Sequence, residues 1–208
     1  MISRRSSLGD RRLGEVAQRL LLESIATKQA LLDEGESQIV EAARLIAGTF
    51  RRGRKLLLCG NGGSAADAQH LAAEFVGRFR RERRALPAVC LTTNTSTLTA
   101  VSNDYSYEDC FSRQVEAFGQ PGDVLVAIST SGRSPNVLGA VRSARQQRLR
   151  VIGLTGAGGG ALAKLSDVPI VVPSNNTQHI QECHITIAHI LCELVETLVF
   201  PVRSSARS

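Results

Sequence analysis

The chain has 208 residues, 43% of them hydrophobic, and it carries a formal net charge of +6. A chain of this length is most simply one domain that encloses a full core. That core must be aliphatic, because the sequence has no Trp, two Tyr and six Phe. No apolar run reaches about 18 residues and the charged N-terminus lacks an apolar segment, so the sequence predicts neither a membrane span nor a secretion signal.

Charge and cysteine content limit the partners and the compartment. Twenty-two arginines and three lysines supply the positive charge, with arginine clusters at 51–54, 78–84 and 142–150. Aromatic residues are not interleaved with these clusters, so solvated faces or an anionic substrate are favoured over nucleic acid. The five cysteines show no C-x-x-C spacing and four lie in apolar segments, which indicates free thiols in a reducing compartment, the cytoplasm.

The hydrophobic periodicity predicts two N-terminal helices, at 11–32 and 37–50, preceded by a flexible segment 1–9. Strands and helices then alternate, and residues 203–208 form a loose tail. Repeated strand–helix units with near-continuously apolar strands imply an α/β fold, a single domain over 1–208 with a five-stranded parallel sheet flanked by helices. The predicted strands are 55–59, 88–92, 123–129, 150–155 and 168–172, and the later predicted helices are 65–79, 107–118, 135–147, 160–165 and 179–199.

The loop after the first strand is a candidate ligand site. Residues 60–64 read Gly-Asn-Gly-Gly-Ser and precede a helix, whose N-terminal N–H groups attract anions and polar sugars. The loop fits neither the G-x-G-x-x-G fingerprint nor a P-loop, because it lacks the third glycine and the lysine. On the helix, His70 and Glu74 are four residues apart and share one face. The pair is suited to a common ion, but the same spacing is also typical of an ordinary surface contact.

A second polar loop follows the strand 123–129. Residues 129–136 read Ser-Thr-Ser-Gly-Arg-Ser-Pro-Asn, and Pro135 suits the first position of a helix. Hydroxyls, helix N–H groups and Arg133 are the donors that a phosphate monoester needs. The other interpretation is an ordinary serine cap, but four hydroxyls in six residues exceed what one cap requires. Since ligands bind at the carboxyl ends of parallel strands, we expect both polar loops at one edge of the sheet.

The last predicted helix carries three of the four histidines, His179, His184 and His189. Isolated histidines on a helix are usually satisfied polar residues. Glu182 and His189 are seven positions apart and nearly aligned, whereas Gln181 and His189 are eight apart and separated by about 80° around the axis. Spacing alone therefore nominates Glu182 as the partner of His189.

Taken together, these motifs resemble the SIS (sugar isomerase) family, and within it the phosphoheptose isomerases that act on sedoheptulose 7-phosphate. The resemblance covers residues 10–200. Each motif is weak alone, but their combination is specific. The matching pieces are Cys59–Ser64, Asp67–His70 with Glu74, Asn103–Tyr105, Pro121–Leu125, Ile128–Gly132 and Ile180–Glu182.

The resemblance implies a cofactor and a set of site residues. His179 and Arg133 depart from the family, which commonly has Arg and Asn there, and these departures affect how the sugar phosphate is held. The implied ligands of one zinc ion per subunit are His70, Glu74, Gln181 and His189. The implied substrate contacts are Asn61, Gly62, Gly63, Asn103 and Asp104 to the sugar, Ser129, Thr130, Ser131 and Ser134 to the phosphate, and Glu74 and Gln181 beside the reacting end.

The implied reaction is the aldose–ketose isomerisation of D-sedoheptulose 7-phosphate to D-glycero-D-manno-heptose 7-phosphate through an enediol. This chemistry needs a base at carbon, an acid/base at oxygen and stabilisation of the enediolate. We assign Glu74 to the carbon proton and His189 to the oxygen proton. Family members are cytoplasmic homotetramers with active sites near subunit boundaries, and they feed heptose into lipopolysaccharide or related glycoconjugates.

Two other functions compete with the isomerase. A non-catalytic SIS relative forms a tetrameric scaffold that binds the replication initiator DnaA, and the chain resembles it at Leu86–Ala88 and Leu191–Leu194. That relative lacks the equivalents of Glu74 and His189, which are present here, so the sequence favours the isomerase. A sugar-phosphate-sensing regulator is less favoured, because no DNA-binding module is attached.

Overall fold

The computed structural model describes the backbone of residues 3–201 and the side chains of residues 10–201, so the predicted tail 203–208 lies outside it. Within residues 3–201, no helix combines the length and the apolar character that a membrane span requires. The strands are β1 (Leu56–Cys59), β2 (Ala88–Cys90), β3 (Val124–Ser129), β4 (Arg150–Thr155) and β5 (Val168–Val171). The helices are α1 (Ser3–Arg51), α2 (Gly63–Val76), α3 (Thr95–Asp104), α4 (Ser112–Phe118), α5 (Pro135–Gln146), α6 (Gly160–Leu165) and α7 (Thr177–Val199), with a 3₁₀ turn at Tyr107–Asp109.

The predicted parallel sheet is confirmed. Its strand order is β2-β1-β3-β4-β5, and every neighbouring pair is parallel. Successive residues of a strand point to opposite faces of the sheet and belong to different hydrophobic cores. In β1, Leu56 and Leu58 pack with α1, α2 and α7, whereas Leu57 packs with α4, α5 and α6. The strand order reverses between β1 and β3, so the carboxyl ends of these two strands form the switch point at which such sheets bind ligands.

The prediction of two N-terminal helices is wrong, because α1 is one continuous helix. It begins at Ser3, so most of the segment 1–9 that we expected to be flexible is helical backbone. The predicted interruption at 33–36 contains a single glycine and no proline, and one glycine costs a helix only about 1 kcal/mol. Packing of the second half of α1, from Leu31 onward, against α7 and β5 outweighs that cost.

Between β2 and β3 the helices also differ from the prediction. The sequence does not predict α3, because its Thr, Ser and Val residues have modest helix propensity. A local feature that indicates the start of α3 is its N-terminal cap, in which the Asn94 side chain accepts a 3.0 Å hydrogen bond from the N–H of Thr97. The helix predicted at 107–118 is a 3₁₀ turn followed by α4.

A buried ion pair fastens the arginine-rich segment 78–84 to α7. The side chains of Arg83 and Glu196 are each 1% exposed, and Arg83 Nε lies 2.8 Å from Glu196 Oε1. The carboxylate also accepts the N–H groups of residues 79–81, and the guanidinium donates to three carbonyls within residues 74–77 at the end of α2. Burial raises the pKa of Glu196, but these donors outweigh burial and hold the pKa below its ordinary value.

We expect Glu196→Gln to lower the free energy of unfolding by about 3–5 kcal/mol near neutral pH, because it leaves Arg83 buried without its counter-charge. Since the pKa of Glu196 is depressed in the folded state, its stabilisation is present above the unfolded pKa and is lost as pH falls through the folded pKa. The difference between wild type and variant should therefore shrink on acidification, which urea unfolding at a series of pH values measures.

Glu193→Gln is the matched control on the same helix. Its ion pair with Arg80, at 3.1 Å, joins the same two segments but is exposed, so its loss should cost under about 1 kcal/mol. Equal losses of stability in the two variants would contradict the role given to the buried pair.

Candidate active site

The loop after β1 forms the first part of a polar site at the carboxyl edge of the sheet. Gly62 has a φ of 55° and occupies the N-cap of α2, where it has no side chain to cap the helix. The N–H groups of Ser64 and Ala65 already donate to the carbonyls of Asn61 and Gly62, so among the described residues the N–H of Gly63 is the first-turn donor left for a ligand. Gly63 leaves room for the amide of Gln181, since a Cβ at Gly63 would lie 2.4 Å from Gln181 Nε2.

The hydroxyl-rich loop after β3 lies at the same edge. The Ser129 hydroxyl is nearly buried and lies 2.9 Å from that of Ser134. Ser134 precedes α5, but its side chain makes no capping hydrogen bond, so the simple capping interpretation is wrong. Gly132 has a φ of 62° and packs on the loop 156–160, where a Cβ at Gly132 would lie 2.1 Å from the carbonyl oxygen of Gly159. This second loop supports the hydroxyls, a contact that the sequence does not predict.

The residues with predicted sugar contacts lie on two elements. Asn61, after β1, accepts a 2.9 Å hydrogen bond from the Tyr107 hydroxyl and exchanges amide hydrogen bonds with Asn136. Asn103 and Asp104 end α3, are exposed, and are joined by a 2.9 Å hydrogen bond. Because α3 packs on the turn that carries Tyr107, this turn connects both predicted contact regions. Sequence reasoning missed Tyr107 and Asn136, although the position of Asn136 directly after a helix-starting proline was a usable signal.

Farther along α2, three of the predicted zinc ligands meet. His70 Nε2 lies 3.1 Å from His189 Nε2 and 3.4 Å from Glu74 Oε1. The two imidazole rings meet edge to face with centroids 5.2 Å apart, and the Phe79 ring stacks on His189 at 5.7 Å. The side chain of His70 is 47% exposed and that of Glu74 is 24% exposed, so solvent reaches the cluster. Residues that lie 119 positions apart in the sequence thus form one group.

The 3.1 Å distance between the two Nε2 atoms fits a hydrogen bond in which one imidazole donates its N–H to the other, and it also fits two nitrogens that face a shared cation. Zinc bonds of about 2.0–2.1 Å in a tetrahedral site put neighbouring donors roughly 3.3–3.4 Å apart, which is close to both observed distances. Among residues 10–201, however, no three His, Cys, Asp or Glu side chains surround one point as a metal requires. The donor types and the pair distances fit zinc, while the complete cage is not formed.

The side chains of Gln181 and Glu182 face different neighbours. Glu182 turns toward α1, where its carboxylate lies 3.6 Å from Lys28 Nζ, so the spacing argument for Glu182 is wrong. Gln181 instead faces Gly63 at the start of α2. Eight residues, or about 12 Å of helix rise, separate Gln181 from His189. Gln181 therefore stands at the sheet-edge end of the site, apart from the two imidazoles.

The two departures from the family face different parts of the molecule. His179 is nearly buried, and its ring lies 3.4 Å from Glu23 Oε2 and 3.5 Å from Glu182 Oε2. The His179 side chain therefore packs against α1. Arg133 is exposed in the hydroxyl-rich loop, where its backbone N–H donates a 3.3 Å hydrogen bond to Ser131 Oγ.

Two further titratable groups lie on α2 and α7. Asp67 shares the helix face of Gly63 and His70, burial raises its pKa, and its Oδ2 has no hydrogen-bond partner among residues 10–201. His184 is wholly buried and lies 3.3 Å from the carbonyl oxygen of Thr155. Burial lowers the pKa of His184 to about 4, so it is a neutral core residue.

Comparisons with known proteins agree with this description. The SIS domain family matches residues 21–156. The chain is 58% identical over 177 residues to the phosphoheptose isomerase of Roseiflexus sp. (85% of this chain, 90% of the relative) and 60% identical over 158 residues to that of Rhodospirillum rubrum (76% and 84%). The solved phosphoheptose isomerase of Neisseria gonorrhoeae is similar with a TM-score of 0.85 at 45% identity, covering 89% of this chain and 99% of that one. The chain therefore belongs to the phosphoheptose isomerase family of SIS-domain proteins.

Proposed function

We propose that the protein is an aldose–ketose isomerase that converts D-sedoheptulose 7-phosphate to D-glycero-D-manno-heptose 7-phosphate through an enediol. The observation that carries the proposal is the meeting of His70 and Glu74, on α2, with His189, on α7. A carboxylate and an imidazole in one solvent-accessible group are the acid/base pair that this reaction needs. Relatives named phosphoheptose isomerase, at 50% to 60% identity, support the same activity.

We propose a pose in which the phosphate binds the hydroxyl-rich loop and the C1–C2 bond lies near Glu74. The hydroxyls of that loop are donors that a phosphate monoester needs. Glu74 is the carboxylate of the acid/base group, 3.4 Å from His70 Nε2.

The proposed substrate contacts follow from that pose. Their side chains and N–H groups lie on the loops after β1 and β3, at the end of α3, and on the facing sides of α2 and α7. The set consists of Asn61, Gly62, Gly63, Glu74, Asn103, Asp104, Ser129, Thr130, Ser131, Ser134 and Gln181.

In the proposed mechanism, Glu74 carries the proton between the two carbon atoms. It removes a proton from C1 of the ketose, which leaves an enediolate, and it returns the proton to C2 of the aldose. His189 gives a proton to O2 and accepts the proton that leaves O1, so the overall reaction gains and loses no proton. The stacking of Phe79 on His189 holds the imidazole ring in one plane for this transfer.

We also propose that one zinc ion per subunit is held by His70, Glu74, Gln181 and His189. Two imidazoles and a carboxylate are common zinc donors, and the distances among them support the assignment. The Gln181 amide lies beside Gly63, apart from the two imidazoles, so its side chain must turn along α7 to join the set. Because an amide is also an unusual zinc donor, we expect Gln181 to contribute least. When bound, zinc supplies Lewis-acid polarisation of the substrate carbonyl.

The scaffold that binds DnaA is the less favoured function. A binding surface does not require a carboxylate and an imidazole to face one another across two helices, and this chain has both in contact with His70. The relatives reported above carry the name of the enzyme.

We propose further that the protein is a cytoplasmic homotetramer. Leu21, Ile25 and Leu32 on α1 are 66%, 62% and 60% exposed, and an apolar groove of about 390 Å³ between α1 and α7 continues this surface. Exposed apolar surface of this kind marks a protein interface, and further copies of the chain are the partner that the family implies. The five cysteines are free and buried, which supports a reducing compartment.

Glu74→Gln should keep the fold and lower kcat by about 10²- to 10⁴-fold, because an amide cannot accept the C1 proton. Turnover of sedoheptulose 7-phosphate measures the loss, and circular dichroism checks the fold. Glu82→Gln, with a side chain 91% exposed, is the control and should turn over normally. Normal turnover in Glu74→Gln would remove Glu74 from the mechanism. An inactive wild type that binds DnaA would favour the scaffold.

Treatment with a chelator should lower turnover by at least about tenfold, and added Zn²⁺ should restore it. Metal analysis should find one zinc per chain before treatment. His70→Ala and His189→Ala should purify without zinc, whereas Gln181→Ala should retain part of it. Full turnover by metal-free protein would exclude the zinc proposal and leave the isomerase proposal standing.

Introducing two carboxylates on α1 with Leu21→Glu and Ile25→Glu should dissociate the tetramer, because charges would be buried at the interface. Both side chains are exposed in one chain, so the subunit itself should remain folded. Size exclusion with light scattering measures the mass. Glu34→Arg, about 180° from Ile25 around the helix, is the charge control. A monomeric wild type would contradict the proposal.

A further inference from the structure

Asn136 joins the two polar loops at the switch point of the sheet. It lies in the first turn of α5 and is 2% exposed. Its amide exchanges two hydrogen bonds with Asn61, which follows β1: Asn61 Nδ2 donates to Asn136 Oδ1 at 2.8 Å, and Asn136 Nδ2 donates to Asn61 Oδ1 at 3.0 Å. A buried residue of the phosphate-binding side thus contacts a proposed sugar contact directly.

The backbone fixes which way round the two amides lie. The N–H of Val137 donates a 2.9 Å hydrogen bond to Asn136 Oδ1. A backbone N–H can only donate, so the Asn136 atom that it meets must be the oxygen. The nitrogen of the Asn136 amide therefore faces Asn61, and the Asn61 atom opposite it must be an oxygen.

This orientation determines what Asn61 can offer to a ligand. Asn61 Oδ1 accepts from Asn136 Nδ2 and also from the Tyr107 hydroxyl at 2.9 Å, so both of its lone pairs are used. One of the two N–H bonds of Asn61 Nδ2 donates to Asn136 Oδ1. The group that is left is a single N–H donor, so the ligand atom that meets Asn61 must be an acceptor.

We propose that Asn136 is a positioning residue, which sets the Asn61 amide so that its free N–H points to an oxygen of the sugar phosphate. The inference rests on the proposed function, because it assumes that Asn61 contacts this substrate. Asn136 directly follows Ser134 and Pro135, so the same residue also sets the distance between the sugar contact and the hydroxyl-rich loop. Without Asn136, the Tyr107 hydroxyl is the remaining described contact of Asn61 Oδ1, and a hydroxyl can accept as well as donate. The Asn61 amide can then turn over and present its oxygen, which repels a substrate oxygen.

A double-mutant cycle on Asn136→Ala and Asn61→Ala tests the proposal. Each single variant should lower kcat/KM by about 10- to 100-fold, and the double variant should be within about twofold of Asn61→Ala, because Asn136 acts through Asn61. Inorganic phosphate, as a competitive inhibitor at the hydroxyl-rich loop, should bind Asn136→Ala within about twofold of wild type. The proposal would be overturned if the losses of kcat/KM in the two single variants multiplied in the double variant. It would also be overturned if Asn136→Ala lost affinity for phosphate by the same factor as it lost kcat/KM.

Two more variants complete the experiment. Asn136→Asp keeps the acceptor for Val137 but removes the donor to Asn61, so it should reproduce the loss of kcat/KM if Asn136→Ala fails to fold. Ser143→Ala removes another buried polar side chain of α5, which bonds Glu116, and should leave kcat/KM unchanged.

The double-mutant cycle on Asn136→Ala and Asn61→Ala is repeated with the affinity for sedoheptulose 7-phosphate, measured by calorimetry, in place of kcat/KM. An inactive wild type that binds the sugar phosphate would exclude the proposed reaction, while the coupling between Asn136 and Asn61 in binding would still decide the positioning role. A wild type that binds no sugar phosphate overturns both.

Discussion

The side-by-side packing of α2 and α7 is the contact on which the site depends. Both helices start at the carboxyl edge of the sheet, so they run in the same direction and meet at successive levels. Gln181 contacts Gly63 at the first level, His189 contacts His70 at the next, and Glu196 binds the segment after α2 at the last. Polar groups from two distant parts of the chain are thereby arranged along one line.

A buried ion pair at the far end of α7 fixes how the two helices lie against each other. The ion pair of Arg83 and Glu196 is almost fully buried, and each partner also satisfies backbone groups at the end of α2 or in the segment that follows. A buried pair of this kind contributes little net stability compared with apolar packing, but breaking it is costly. Its effect is to hold the end of α2 that carries Glu74 against the helix that carries His189, and to fix Phe79 beside the imidazole.

At the sheet edge, hydrogen bonds rather than charges organise the site. The reversal of strand order between β1 and β3 brings two loops together, and the amides of Asn61 and Asn136 bridge them. Glycines allow the loops to approach: Gly63 admits the Gln181 side chain, and Gly132 admits the backbone of a third loop. The result is one end built from N–H and hydroxyl donors and another built from imidazole and carboxylate groups, which matches a substrate with a phosphate at one end and a reacting carbon pair at the other.

The sequence by itself determined the alternation of strands and helices, the parallel sheet and the two polar loops, because apolar periodicity and turn composition are local properties. Only the tertiary structure decided that α1 is continuous, since packing outweighs one glycine. It also decided that Gln181 rather than Glu182 faces α2, because the angle at which α7 rests on α1 and α2 cannot be obtained from residue spacing. The contacts between Asn61 and Asn136, and between His70 and His189, likewise join residues 75 and 119 positions apart, which no local pattern encodes.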